Sequence, residues 1–355
     1  MKTSIDYTSQ HAHATQLPDS FRRRLLQLLA LSPVSALLHA QANPSAIAVA
    51  KLHCFALRVS DVARSLAFYQ SLFGMPVQAR DGDVVSLRIG DGPQFLSLQP
   101  CRAGESPGIH HIGLSVPGLQ PGTIVGQLES WGLRAATQIP DSEDRLRAAL
   151  QYWLADSPDA GVFLLDREGL QVQLCSTTYC GARDGVCQTA QAAGQDGLLQ
   201  LREINHFTNY MSHAANANQF YMDLFGLRYQ SYQGPTMPTI GVGDGRQFLM
   251  FVGGTQAGVP SNPGRIDHVS LSVADFDVER ILTILTGFGT SARQEPSVTP
   301  PLAHWISLRM PNRGGAEGGT PELYFSDPDG LHIQLQHVDY CGGGGYLGDE
   351  CAPLA

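Results

Sequence analysis

Near the end of the chain, apolar and polar side chains alternate around a four-residue turn. After the turn, residues 331–336 place His332, Gln334 and Gln336 between apolar neighbours, and this period of two is typical of a strand. The preceding Asp327-Pro-Asp-Gly330 has turn chemistry, because proline presets φ and glycine accepts a positive φ. The pattern predicts strand, tight turn and strand, with three polar side chains on one face, toward either solvent or a polar cavity.

The first part of the chain predicts a strand, an amphipathic helix and further short strands. Residues 54–61 alternate as a strand. Apolar side chains at helical spacing follow over residues 62–73, and Gly74 is a typical helix stop. Two more strands are predicted at 84–89 and 94–98. Together these elements form one β-α-β-β-β unit.

The same unit recurs three more times along the chain. A second one opens with a strand at 111–116, continues through a helix near 123–131 and ends within 162–174. The second half repeats both units, with the following predicted elements: a strand at 206–211, a helix at 215–225, a strand at 268–273 and a helix at 277–287. Because several short strands follow each helix, the pattern excludes a doubly wound parallel sheet and predicts an α+β fold.

Matched sequence motifs show that the two halves are copies of each other. Three pairs recur roughly 150–160 residues apart, which is the signature of duplication. The pairs are Phe68–Gly74 with Phe220–Gly226, Gly90–Phe95 with Gly243–Phe248, and Tyr179–Gly181 with Tyr340–Gly342.

Length and composition agree with a duplicated globular protein. A chain of 355 residues allows two domains that each bury a core, and 38 glycines and 22 prolines indicate many turns. We place the domains at 51–182 and 202–343, with an Ala-, Gln- and Gly-rich linker at 183–201 and a tail at 344–355. The formal net charge of -9 argues against nucleic acid and anionic membrane surfaces as partners.

Residues 1–42 are predicted to lie outside the fold. A polar stretch precedes three arginines at 22–24, an apolar run to Leu38 and a small-x-small site that ends at Ala42. This order is typical of an export signal, and the long polar start with paired arginines resembles a twin-arginine signal. We expect cleavage near Ala42 and a periplasmic or secreted protein. The alternative is a short amphipathic helix on a disordered tail, and the apolar run is too short for a stable membrane span.

Seven cysteines are present, and no pair has the CxxC spacing of a zinc site. Cys180 with Cys187, and Cys341 with Cys351, lie close in sequence, and each pair begins at a Tyr-Cys-Gly. In an exported protein each pair could close a small loop as a disulfide, whereas reduced thiols are the alternative. The odd number leaves at least one cysteine unpaired within the chain.

Several features together carry a family resemblance. These are the tandem β-α-β-β-β units, strand openings such as His268–Asp275, the Phe-Tyr and Leu-Phe-Gly groups around the first helix of each half, and Asp327–Gly330 before the last strand. In these features residues 51–343 resemble the vicinal oxygen chelate superfamily, which includes glyoxalase I, bleomycin-resistance proteins and extradiol ring-cleaving dioxygenases. The resemblance implies that the four units pair into two cupped half-barrels. It also implies a divalent metal, bound in the cup from the opening strands and the closing strand.

By this resemblance the metal ligands of the second half fall on His206, His268 and Gln334. Two imidazoles and one oxygen donor, with open coordination positions, suit Fe(II) and also Mn(II), Zn(II) or Ni(II). A substrate could then chelate through two adjacent oxygens. Each histidine also has a structural interpretation as a hydrogen-bonded core or rim residue. His332 or Gln336, on the same face as Gln334, could replace it as a ligand or line the pocket.

Residues 323–334 resemble the extradiol dioxygenase signature and depart from it at two positions. Tyr324 would stand near the metal as a hydrogen-bond donor or acid, although it could simply be a cup-lining aromatic. The third ligand is Gln334 where the signature has Glu. The signature also has a His several residues before Leu323, and here a Gly-rich segment occupies that place. His304 could replace it if this segment folds back, and core packing is the alternative for His304.

The corresponding positions of the first half form a poorer metal set. They fall on Cys54, His111 and Gln173, with Phe163 at the tyrosine position. We therefore predict a degenerate first half and an active second half. Two-domain extradiol enzymes are organised in the same way.

Two functions remain open. The first is an exported metal-dependent oxygenase or lyase whose substrate is a small molecule with vicinal oxygens, such as a catechol, with ring cleavage as its most concrete form. The second is a non-catalytic binder of the bleomycin-resistance type, which uses the cup as an aromatic-lined pocket. The chain has no GxSxG, P-loop or HExxH motif that would support another chemistry. Homodimer formation through sheet edges is a further expectation.

Overall fold

A computed structural model describes residues 45–184, 187, 191–235, 237–254 and 262–351 of the chain. The predicted export signal at residues 1–42 therefore lies outside the described residues.

Residues 51–176 form the two units of the first half, with a helix after the opening strand of each. The elements are β1 (Lys51–Val59), α1 (Val62–Phe73), β2 (Val77–Asp81), β3 (Val84–Arg88), β4 (Phe95–Pro100), β5 (Gly108–Val116), α2 (Pro121–Ser130), β6 (Arg134–Ala135), β7 (Gln151–Leu154), β8 (Val162–Leu165) and β9 (Gln171–Ser176).

Residues 201–337 repeat this order. The elements are β10 (Leu201–Met211), α3 (Ala214–Phe225), β11 (Arg228–Tyr232), β12 (Pro238–Gly241), β13 (Phe248–Gly253), β14 (Arg265–Val273), α4 (Val278–Phe288), β15 (Ser291–Ala292), β16 (Ala303–Arg309), β17 (Thr320–Ser326) and β18 (His332–His337). A short 3-10 helix at Pro311–Arg313 precedes β17.

Each half folds into one nine-stranded mixed sheet. The strand order is β2-β3-β4-β1-β5-β9-β8-β7-β6 in the first half and β11-β12-β13-β10-β14-β18-β17-β16-β15 in the second. The opening strands of the two units in each half pair antiparallel at the centre, as β1 with β5 and β10 with β14. This arrangement confirms the α+β fold and the pairing of four β-α-β-β-β units into two half-barrels.

The first helix of each half begins and ends where the sequence indicates. Asp61 caps α1 because its side chain accepts a hydrogen bond from the backbone N–H of Arg64. The helix ends at Gly74, whose φ of 64° lies in the left-handed region that favours glycine. Gly226 ends α3 in the same conformation, with φ of 66°. The repeated Leu-Phe-Gly motif therefore marks a helix stop in both halves.

The two halves share one apolar core rather than packing as separate bodies. Phe55 of β1 and Phe207 of β10 contact edge to face, with ring centroids 5.9 Å apart. Phe68 and Phe73 of α1 pack against Phe325 of β17, and all three side chains are buried. Burying each such ring contributes roughly 1.5–3 kcal/mol, so these contacts bind the halves strongly.

Polar contacts cross between the halves in symmetric pairs. The Tyr69 hydroxyl of α1 donates to Asp327 Oδ2 at 3.2 Å, and the Tyr221 hydroxyl of α3 donates to Asp166 Oδ2 at 3.2 Å. Each aspartate opens the turn before the closing strand of the opposite half. The turn of each half is thereby tied to the first helix of the other.

The predicted cysteine pairs are disulfides in the structure. Cys180 is bonded to Cys187, and Cys341 to Cys351. Residues 344–351, which the sequence assigns to a tail, fold back as a closed loop held by the second bond. Cys54 is free and buried. Among the described residues, no helix is long and apolar enough to cross a membrane.

Candidate functional site

A cavity of about 510 Å³ opens in the concave face of the second sheet. It is lined by His206, His268, Tyr324, His332 and Gln334, among others. Strand pairing explains how residues distant in sequence meet there, because side chains of one face recur at every second position. Ser270 on β14 is the register partner of both His206 and Gln334.

His206 is held in one orientation at the centre of the cavity. Its side chain is buried and stacks on Phe248, with ring centroids 4.3 Å apart. Its Nδ1–H donates to Asn205 Oδ1 at 2.7 Å, an assignment supported by the Asn205 amide nitrogen, which donates to the Tyr340 carbonyl at 2.8 Å. This bond leaves Nε2 unprotonated, which is the form that binds a metal.

His268 is also held by a hydrogen bond at its Nδ1, but its partner is a carboxylate rather than an amide. Its Nδ1 lies 2.9 Å from Asp267 Oδ2, while its Nε2 is buried and has no hydrogen-bond partner within the described chain. Burial raises the pKa of Asp267, but the hydrogen bond from His268 and neighbouring positive charges outweigh it, so the net pKa lies below the ordinary value. Asp267 therefore stays ionised and orients the imidazole, as carboxylates do behind metal-bound histidines.

Gln334 supplies an unused oxygen in the cavity that the two histidines also line. Its side chain is buried, and neither Oε1 nor Nε2 has a hydrogen-bond partner within the described chain. An unsatisfied buried amide costs about 1–3 kcal/mol, so such a group needs a partner that the chain itself does not provide. A bound metal ion would provide this partner.

These donors fit a divalent metal ion. Two imidazoles and one amide oxygen line the same cavity, with ring centroids of His206 and His268 5.6 Å apart. Burial, together with the adjacent His268, holds the pKa of His206 well below its usual range, which keeps the imidazole neutral. Among the described residues, no group of three His, Cys, Asp or Glu side chains could hold a metal. A third protein donor at this site would therefore be the amide of Gln334.

Tyr324 stands beside the donors as a protonated phenol. Its ring meets His268 edge to face at 5.2 Å and stacks on Trp305 at 5.3 Å with an interplanar angle of 5°. Burial, and then the nearby Glu322, raises the pKa of Tyr324 well above its usual range. The hydroxyl can therefore donate a hydrogen bond into the cavity at neutral pH.

The structure does not bring His304, which was predicted from the sequence as a catalytic candidate, to the cavity. His304 lies on β16 with its Nδ1 2.8 Å from the Thr290 hydroxyl, on the side away from the cup. Its neighbour Trp305 faces the cup instead, because successive side chains on a strand alternate. His332 does line the cavity, where it contacts Trp305 edge to face.

A buried ion pair behind the cavity was not predicted from the sequence. Glu322 lines the cavity, and its Oε1 lies 3.4 Å from Nε of the fully buried Arg309. The register pairs Glu322 with Ser307 and Tyr324 with Trp305, so four cavity residues come from one hairpin. Alternation along 320–326 could have placed Glu322 beside Tyr324, but the cross-strand partners depend on a register that the sequence does not reveal.

In the first half, the corresponding residues satisfy one another. The Cys54 thiol donates to Gln173 Oε1 at 3.6 Å, and Gln173 Nε2 donates to the Ala160 carbonyl at 2.9 Å. His111 contacts Phe163 edge to face, and its Nδ1 lies 3.0 Å from the Nδ1 of His110. This set leaves no amide without a partner and places a thiol where the second half has an imidazole. It does not fit a metal ion in the way that the second half does.

Comparison with known proteins gives a family match for part of the chain. Residues 51–168 match the family model described as the Glyoxalase/Bleomycin resistance protein/Dioxygenase superfamily. No curated protein matches the sequence.

Solved structures with the same fold include enzymes of two kinds. The 2,3-dioxygenase LapB from Pseudomonas sp. KL28 has a TM-score of 0.55 and 14% identity, covering 82% of this chain and 93% of that one. Homoprotocatechuate 2,3-dioxygenase from Brevibacterium fuscum, in complex with 3,4-dihydroxyphenylacetate, has a TM-score of 0.53 and 16% identity over 83% and 82% of the chains. A Mn(II)-bound glyoxalase from Novosphingobium aromaticivorans has a TM-score of 0.54 and 15% identity over 81% and 82%. The first half therefore resembles the Glyoxalase/Bleomycin resistance protein/Dioxygenase superfamily in sequence, and the second half repeats the same architecture.

Proposed function

We propose that the protein is a metal-dependent enzyme whose site lies in the second half and whose substrate is a small molecule with two adjacent oxygens. A catechol-like aromatic, cleaved by a dioxygenase reaction, is the most concrete form of this proposal. One observation carries it. The buried His268 Nε2 and Gln334 Oε1 both lack a partner, and both belong to residues that line the same 510 Å³ cavity as His206.

The divalent ion, with Fe(II) as first choice and Mn(II), Zn(II) or Ni(II) as alternatives, would bind both oxygens of the substrate and activate them as a Lewis acid or by electron transfer. His206, His268 and Gln334 would hold it. Asn205 and Asp267 would orient the two imidazoles through their Nδ1 hydrogen bonds. The structural relatives described as dioxygenases and as a Mn(II)-bound glyoxalase support this class of chemistry.

The other cavity residues would position the substrate. Trp305 and Tyr324 are stacked and form one flat wall, against which an aromatic ring could lie. The Tyr324 hydroxyl stays protonated and would donate to a substrate oxygen, stabilising the negative charge that develops there. His332 lies on the same rim, and burial lowers its pKa, so it is available as a neutral proton acceptor.

One observation favours a non-catalytic binder as the second candidate. The third donor is a neutral amide, which is a weaker ligand than a carboxylate and leaves the site one charge more positive. A protein of the bleomycin-resistance type would use the same cavity, with its aromatic wall, to bind an organic ligand without metal.

Metal loading separates the two candidates. We expect the purified protein, loaded anaerobically with Fe(II) or Mn(II) and measured by mass spectrometry, to retain about one ion per chain. His206→Ala should lose the ion. His304→Ala is the matched control, because that histidine lies off the cavity, and it should retain the ion. Retention below about 0.2 ion per chain in the wild type, unchanged by His206→Ala, would overturn metal dependence.

Oxygen uptake with catechols then tests the reaction. Loaded wild-type enzyme should consume oxygen and form a yellow ring-cleavage product, whereas Tyr324→Phe should keep its metal and lose activity about a hundredfold. A metal-loaded protein without oxygen uptake but with lyase or isomerase activity would move the proposal to glyoxalase-like chemistry.

We further propose that the protein is exported through the twin-arginine route, cleaved near Ala42, and acts in the periplasm or outside the cell. The arginine cluster supports export, and so do the two disulfides, since disulfides persist in oxidising compartments. A homodimer formed through sheet edges completes this proposal. Cell fractionation of the full chain beside an Arg22→Lys, Arg23→Lys variant would test the route.

A further inference from the structure

The first half has its own cavity, at the place where the second half has the candidate metal site. A space of about 160 Å³ is lined by His111 and Phe163, the counterparts of His268 and Tyr324. Arg58, Arg102 and Arg145 also line it, and no aspartate or glutamate does. Three guanidinium groups around one small cavity are unusual in a chain of formal charge -9, so the local potential opposes the global one.

The three arginines differ in how far their charge is already matched. Arg102 is paired with the exposed Asp141 at 2.7 Å, and Arg58 lies 3.7 Å from Glu105. Arg145 has no carboxylate within ion-pair distance among the described residues, and its only hydrogen bond there is from Nη1 to the His110 carbonyl at 3.1 Å. Arg145 is therefore the one of these three arginines that forms no ion pair within the described chain.

Buried guanidinium nitrogens point to a missing acceptor. Nε of Arg145 and Nε of Arg58 are both buried without a hydrogen-bond partner in the described chain. Burial lowers the pKa of Arg145 to about 10, so the group is still charged at neutral pH. A buried, charged donor without an acceptor is costly, and an anion in the cavity would relieve that cost.

Part of the cavity lining is aromatic and flat. Trp153 stacks on Phe163, with ring centroids 5.5 Å apart and an interplanar angle of 11°. Both rings line the same space as Arg145. A cation and a flat apolar surface in the same cavity suit a planar ligand that has a ring at one end and a negative charge at the other.

We propose that the first-half cavity is a binding site for a small aromatic carboxylate, with its carboxylate on Arg145 and its ring against Trp153 and Phe163. The site is independent of the metal and of the proposed reaction, because the residues that line it come from the first half alone. Cys54 and Gln173 do not serve as metal donors in the first half. Binding of a carboxylate would give this half a separate function. The duplication thus produced two cavities with different chemistry.

Fluorine NMR of the whole protein with 4-fluorobenzoate tests this site. We expect saturable binding of one 4-fluorobenzoate in the first half, and about tenfold weaker binding of the uncharged isostere 4-fluorobenzamide. This wild-type comparison needs no variant and decides whether the carboxylate is recognised. Equal binding of acid and amide would overturn the proposal.

Variants locate the site. Arg145→Met should weaken 4-fluorobenzoate binding at least about tenfold, whereas Arg147→Met should not, because Arg147 is an exposed neighbour. Arg313→Met, in the second-half cavity, should also leave it unchanged. Binding that survives Arg145→Met but is lost in Arg313→Met would move the ligand to the other half and overturn the proposal. Inorganic phosphate that displaces the ligand as well as benzoate does would overturn the role of the aromatic wall.

Discussion

The two sheets have the same strand order, but their central polar groups differ in whether they have hydrogen-bond partners within the chain. In the second half, His268 Nε2 and Gln334 Oε1 are buried without partners. In the first half, the Cys54 thiol donates to Gln173, and Gln173 donates to a backbone carbonyl. A buried polar group must find a partner inside the chain or outside it. The polar groups of the first half have their partners inside the chain, whereas His268 Nε2 and the Gln334 amide have none within the described residues.

The difference shows where function can be gained or lost after duplication. The strand framework and the turn before each closing strand are retained in both halves. A few cup-facing positions then decide the chemistry, such as Cys54 against His206 and Phe163 against Tyr324. His206, Tyr324 and Phe163 line cavities. Cys54 instead packs in a small buried cluster with Phe95 and Cys175.

Replacing one histidine in each half tests the predicted difference in metal binding most directly. We expect His268→Ala to lose the metal and to lower activity at least about a thousandfold, because a donor nitrogen and its orienting Asp267 contact are both removed. His111→Ala, at the matched position, should change neither metal content nor activity. Metal analysis and oxygen uptake, made on both variants in parallel, provide the readout.

Two outcomes would contradict this asymmetry. Loss of metal in His111→Ala would place a metal site in the first half. Full metal content in His268→Ala would mean that Nε2 of His268 binds a ligand other than the metal. Circular dichroism of both variants would show that any loss is not a loss of fold.

Replacing Gln334 and Gln173 separately by glutamate tests whether each amide lies in an environment that binds metal. In Gln334→Glu, the carboxylate meets two imidazoles and a cation, so we expect metal affinity to rise about tenfold. In Gln173→Glu, the new carboxylate faces the Ala160 carbonyl in a buried site without a cation among its hydrogen-bond partners. That variant should lose about 2–4 kcal/mol of stability and gain no metal.

Competition with a metal-responsive dye measures the affinities, and urea unfolding measures the stabilities. An unchanged affinity in Gln334→Glu would show that residue 334 is not a ligand. The proposed site would then rest on the two histidines, with His332 as the remaining nearby donor.

Much of the fold could be predicted from the sequence, because it depends on local patterns that repeat. The period-two strands, the helix over 62–73 with its stop at Gly74, and the turn at 327–330 are all encoded by adjacent residues. The duplication then fixed the order of all four units. These signals survive because strand alternation and turn chemistry act over a few residues.

The contents of the cavity were harder to predict, because they depend on register between distant strands. His304 and Trp305 are neighbours, and one residue of shift decides which of them enters the cup. The sequence contained no signal for this choice, and the prediction for His304 depended on the Gly-rich segment folding back. The Arg309–Glu322 ion pair and the Arg145 cavity likewise join residues that only the folded chain brings together.

The smallest predicted effect, on the free energy of unfolding, concerns two matched hydrogen bonds between tyrosine and aspartate. Tyr69 donates to Asp327 and Tyr221 donates to Asp166, both at 3.2 Å. Because the geometry is matched, we expect Tyr69→Phe and Tyr221→Phe each to lower the free energy of unfolding by about 1 kcal/mol. Urea unfolding gives this value, and the metal content should not change.

The pH of that measurement matters because both acceptors are buried. Burial raises the pKa of Asp166 to about 7 and that of Asp327 to about 6. At about pH 8.5 both are ionised, so the two hydroxyls donate to equivalent carboxylates and the two losses should agree. Both variants should also unfold in a single transition, because the halves share one core. Two transitions, or a loss confined to one variant, would show that the halves are energetically separate and that their asymmetry extends beyond the cavities.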